Sequence, residues 1–157
     1  MRYLLLSLSA ILCFGLVSCS KNDSTLTQRQ MSATIKRNSA DSGFTWNANP
    51  NLVTAKIPFN HSVRFEGSEY GLNPTHLNIF INNYNGVGTY KLYQGSAQQT
   101  DSNSAVLTYT ARDFHSVTGY VQILRDDKEL YIGRYQLVGI NLNDTITLDY
   151  GSFTINK

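Results

Sequence analysis

From residue 31 to the end of this 157-residue chain, apolar side chains recur at every second position, run after run, and no stretch carries a convincing helical period. Met31, Ala33 and Ile35 alternate with Ser32, Thr34 and Lys36, and further runs fall at 44–48, 52–59, 62–66, 76–84, 87–93, 105–111, 117–124, 130–140, 145–149 and 152–155. A period of two places alternate side chains on opposite faces of a strand, so a chain written this way buries its apolar face only by forming sheets.

The breaks between runs carry turn chemistry. Asn85-Gly86 and Asp126-Asp127 are the clearest, since these residues tolerate the positive φ of tight turns. Short turns join antiparallel neighbours, because parallel ones need long crossovers. The expected architecture is therefore all-β: a single antiparallel sandwich of roughly nine to eleven short strands, with a lipocalin-like open barrel as the alternative. Alternation assigns the core to Leu77, Ile79, Ile81, Tyr90, Leu92, Leu107, Tyr109, Val121, Ile123, Ile146, Leu148, Phe153 and Ile155.

Ahead of this domain, residues 1–18 divide into a basic start (Met1, Arg2), an apolar run from Leu4 to Val17, and a small residue, Ser18. That order is a secretory signal peptide, and its apolar run falls short of the roughly 20 residues a spanning helix needs. Leu16-Val17-Ser18-Cys19 resembles the bacterial lipobox. The resemblance implies cleavage before Cys19, lipidation of that residue, and membrane attachment through its acyl chains, two or more of which anchor stably. Residues 19–30 are polar and read as a lipidated flexible tether, leaving 31–157 as one domain.

Cys13 leaves with the signal and Cys19 carries lipid, so no thiol remains for a disulfide. The domain must hold by its core, and a chain of this length buries about 70 per cent of its unfolded surface. Thirteen basic against eleven acidic residues give +2, and loss of Arg2 leaves +1, with no basic stripe. This charge pattern argues against a nucleic-acid partner.

Three segments resemble a family of uncharacterised Bacteroidetes lipoproteins. Gly43-Phe44-Thr45-Trp46-Asn47-Ala48 is similar to the family's Gly-x-x-Trp-x-Ala strand. The segment Asn83-Tyr84-Asn85-Gly86-Val87-Gly88-Thr89-Tyr90-Lys91-Leu92 resembles its Asn-Tyr-x-Gly-x-Gly-x-Tyr hairpin, with Val87 where a Pro often stands. The closing Ile146-Thr147-Leu148-Asp149-Tyr150-Gly151-Ser152-Phe153-Thr154-Ile155 is similar to its final Gly-x-Phe strand. The resemblance implies an exported all-β domain and brings no catalytic residues with it.

Catalytic signatures are missing from the sequence: there is no Gly-x-Ser-x-Gly, no His-Glu-x-x-His and no phosphate-binding loop. His61, His76 and His115 lie far apart, and Asp126, Asp127 and Glu129 lack the spacing of a calcium loop. The expectation is no enzyme, no cofactor and no metal. Aromatic residues on a β surface can stack on sugars or anchor a partner protein, and Trp46 and Tyr70 are the candidates. Asp23-Ser24-Thr25 and Asp144-Thr145-Ile146 resemble the Bacteroidetes O-glycosylation signal, which makes Ser24 and Thr145 candidate acceptors.

The function expected is an anchored accessory or binding domain for a glycan or partner protein, at the outer membrane because Ser20 is not an inner-membrane retention Asp. A lipocalin-like carrier of a small apolar ligand is the second reading. A hydrolase with a site assembled from distant residues is the third.

Overall fold

The computed structural model describes residues 29–37, 41–94 and 102–157. Its strands are β1 (Gln30–Lys36), β2 (Phe44–Asn47), β3 (Thr54–Lys56), β4 (Ser62–Ser68), β5 (His76–Asn82), β6 (Gly88–Tyr93), β7 (Ser104–Tyr109), β8 (Arg112–Asp126), β9 (Leu130–Asn141) and β10 (Asp144–Asn156). Among the described residues the only helical element is one 3₁₀ turn, Pro50–Leu52, where the Asn49 side chain accepts from the Asn51 amide. The all-β reading holds.

Every strand pairing is antiparallel, and the strands form one continuous sheet in the order β2-β1-β10-β9-β8-β7-β5-β4-β3. The two separate sheets of a sandwich are not what forms. Instead the single sheet curls into a half-barrel, bringing its two halves face to face. Phe65 of β4 stacks on Phe153 of β10 at 4.5 Å between ring centroids and meets Tyr131 of β9 edge-on at 5.3 Å. At Gly67 of β4 the approach to β1 is so close that a β-carbon there would lie 2.6 Å from the Met31 sulfur. A twisted sheet this wide curls because bending covers its apolar face without a second sheet.

The length of β8 makes the curl possible. Its residues 112–115 pair with β7 and its residues 118–123 pair with β6, so two short strands share one long edge. Here the structure corrects the hairpin expected at Asn85-Gly86. Gly86 does turn with φ of +81°, but β5 is already paired on both sides, by β4 and β7, and β6 goes to β8. The strands β8 and β10 are also longer than the runs expected, at 15 and 13 residues, whereas β9 follows the expected run over 130–140 closely. Bulges explain this: an extra residue flips the alternation without ending the strand.

The core matches the alternation. Leu77, Ile79, Ile81, Leu92, Leu107, Val121, Ile123, Ile146, Leu148, Phe153 and Ile155 are all buried, while Tyr90 and Tyr109 pack half-buried at its margin. Removing apolar area from water is the main force available to a domain held without disulfides.

Candidate functional site

The bulge in β10 builds the most distinctive feature of the outer surface. Leu148 lies opposite Leu137 of β9 and Gly151 lies opposite Tyr135, so Asp149 and Tyr150 together face Gln136. Tyr150 adopts φ of +52°, a left-handed conformation that only its place in the bulge imposes, and its side chain is 86% exposed. Beneath it, Gly151 leaves room for the buried Tyr135 ring, whose hydroxyl donates to the Ser32 carbonyl at 2.9 Å.

Around this bulge lies a cleft of about 370 Å³, lined by Tyr120 of β8, Arg134, Tyr135 and Gln136 of β9, and Asp149, Tyr150 and Gly151 of β10. Its polar groups are held in place by one another. The Gln136 amide donates to Asp149 Oδ1 at 2.7 Å, and Lys36 Nζ of β1 donates to Asp149 Oδ2 at 3.0 Å. Arg134 Nε donates to Gln122 Oε1 at 2.7 Å, which fixes the guanidinium along the sheet and leaves its terminal nitrogens for other partners. The Lys36 hydrogen bond outweighs the desolvation that opposes it and, with Gln136 adding to it, holds the Asp149 carboxyl below its ordinary range.

Chemically this arrangement offers two tyrosine rings, a fixed carboxylate, an amide and a guanidinium on one face. Planar side chains that hydrogen-bond in pairs suit vicinal hydroxyls, and aromatic rings suit the apolar faces of sugars. Asp149 is the cleft's one carboxylate among the lining residues, whereas glycoside hydrolysis uses two flanking the scissile bond. Among the described residues no group of three or more His, Cys, Asp or Glu side chains could hold a metal.

The residues expected from sequence fare differently. Trp46 is fully buried on the inner face of β2, opposite Ala33 of β1, and is corrected from a surface ligand-binding residue to a core residue. Pairing opposite the inward Ala33 of β1 puts it inward, and the small Ala33 leaves it space. Tyr70 is 66% exposed but sits in the β4–β5 loop, away from the cleft. Thr145 is exposed at the start of β10, paired with Ile140. Cys19 and Ser24 lie outside the described residues.

Asp126 and Asp127, read from sequence as a turn, do lie where β8 turns into β9, and they are engaged there. Asp126 accepts from the Tyr84 hydroxyl at 2.8 Å and binds Lys157, and Asp127 accepts from the amides of Glu129 and Leu130. The cleft residues Tyr120, Arg134, Gln136, Asp149 and Tyr150 were not among the sequence candidates. A signal for them existed: the inward positions Ile146 and Leu148 are even-numbered, whereas Phe153 and Ile155 are odd. A bulge between them is the simplest way for one strand to satisfy both. Comparison of the chain with protein-family models, curated proteins and solved structures finds no match.

Proposed function

We propose that this chain is an envelope-anchored binding domain, not an enzyme, and that the cleft around the β10 bulge takes the sugar units of a glycan. The observation that carries the reading is Tyr150, held in a left-handed conformation and 86% exposed beside the fixed Asp149–Gln136 pair. Backbone held in a sparsely populated region is retained where the surroundings demand it, and such positions cluster at binding sites. The envelope address is supported by the signal-like 1–18 segment and the lipobox-like Leu16-Val17-Ser18-Cys19, and by the three segments that resemble Bacteroidetes lipoproteins.

Binding is favoured over the carrier reading because aromatic rings occupy the interior of the curl. Phe153 lies between Phe65 and Tyr135, at 4.5 and 6.4 Å between centroids, where a barrel carrier would hold its ligand. The test is a glycan array on the mature chain, followed by titration of any hit. Tyr150→Ala and Gln136→Ala should each weaken binding about 10-fold or more, the effect of losing a contact of at least about 1.4 kcal/mol. A hit whose affinity neither change alters would place the glycan elsewhere, and an array without hits would count against a glycan ligand.

A further inference from the structure

One end of the half-barrel gathers the start of the described chain and three of its connections. β1 begins there, with Gln30 opposite Thr154 near the end of β10. The 57–61 loop is tied to the 83–87 turn by the Tyr84 amide, which donates to the His61 carbonyl at 2.7 Å. That turn meets the β8–β9 hairpin through the Tyr84 hydroxyl on Asp126, and the Lys157 amide donates to the Glu129 carbonyl at 2.9 Å.

Among the exposed polar residues of this rim, Asn60, His61, Asn83, Asn85, Lys128 and Glu129, stand large apolar side chains. Ile57 is 70% exposed, Phe59 56% and Val87 62%, and Leu124 stands half exposed on the adjoining outer face of β8. The rim's charges largely cancel. Lys56 pairs with Glu66, Arg125 with Asp127 and Lys157 with Asp126, and the exposed Lys128 is followed by the exposed Glu129. Single exposed apolar residues are ordinary, but several on adjoining loops at one end form a surface that water solvates poorly.

We propose that this rim rests on a lipid bilayer, with Ile57, Phe59 and Val87 entering its headgroup region. The proposal rests on reading Cys19 as the lipid anchor. Ten residue steps separate Cys19 from Arg29, a reach of at most about 35 Å. The β9–β10 turn at the opposite end, where Leu142 is exposed, lies farther off by the length of the 13-residue β10, about 40 Å. The short tether thus presents this rim first. A contact too weak to hold a free protein persists when the anchor supplies a high effective concentration. With the rim on the membrane, the cleft on the outside of β8–β10 faces sideways, clear of the headgroups.

The mature chain has no cysteine after Cys19, so Phe59→Cys and Leu142→Cys each introduce a single thiol for a spin label. The acylated protein is reconstituted into phosphatidylethanolamine and phosphatidylglycerol vesicles. At position 59 the label should be relaxed more by oxygen than by a water-soluble nickel chelate, and at position 142 the order should reverse. Adding Ile57→Asp and Phe59→Asp to a Val87→Cys label should shift that label from the lipid to the aqueous signature. An aqueous signature at position 59 in protein whose mass shows acylation overturns the proposal. A mass without acyl chains on Cys19 overturns the anchor reading instead.

Discussion

Gly151 lies against the face of Tyr135 so closely that a β-carbon added to it would sit 2.3 Å from the Tyr135 ring. The small residue is what lets β10 bulge outward without lifting the ring from the core. Gly151→Ala is therefore expected to destabilise the domain by about 1–3 kcal/mol, the usual cost of overpacking. Urea unfolding measures it, and an unchanged midpoint would show that the ring moves freely. Tyr135→Phe keeps the packing and removes only the bond to the Ser32 carbonyl, costing about 1 kcal/mol.

Trp46 and Tyr70 should part company on truncation. Trp46→Ala opens a cavity in a fully buried site and should cost about 3–5 kcal/mol. Tyr70→Ala, in an exposed loop, should stay within about 0.5 kcal/mol. Paired denaturation curves decide this, and similar losses for the two would contradict the placement of Trp46.

Alkali should unfold the domain through two phenols. The hydroxyls of Tyr84 and Tyr135 are pushed well above the ordinary 10.0, Tyr84 by burial and then by its hydrogen bond to Asp126, Tyr135 by burial. The folded state therefore holds both protons more tightly than the unfolded chain does. That contribution is complete below the unfolded value of about 10 and is lost as pH rises beyond it. The denaturation midpoint should fall between about pH 9 and about pH 11, and less steeply in a Tyr84→Phe, Tyr135→Phe double variant. Equal slopes would remove these tyrosines as the cause.

Asp149 titrates the other way. Its carboxyl is held below the ordinary 3.8 by Lys36 first, with Gln136 adding. The stabilisation is present above that ordinary value and is lost as pH falls through the lower folded one. Lys36→Met should move the Asp149 titration upward in a carboxyl-detected NMR experiment. No movement would mean that the 3.0 Å contact to Lys36 does not govern the carboxylate.

The strand content and the inward face were legible along the sequence because a period of two is a local property: each strand records its own burial. Leu77, Ile79 and Ile81 or Val121 and Ile123 needed no knowledge of their neighbours. The site was harder to read because Tyr120, Gln136 and Asp149 belong to three strands and meet only through register. The shift from even to odd inward positions between Leu148 and Phe153 marked the bulge, but not what would lie beside it.

By itself, then, the sequence determined a disulfide-free all-β domain, the sides of its strands, and its turns. Tertiary structure alone decided that the sheet is one curled surface, that β6 leaves β5 for β8, that Trp46 faces inward, and that a bulge assembles the cleft. The reason is physical. Alternation reports which side of a strand avoids water, whereas pairing between distant strands depends on which free edges and facing surfaces remain once the others have been taken.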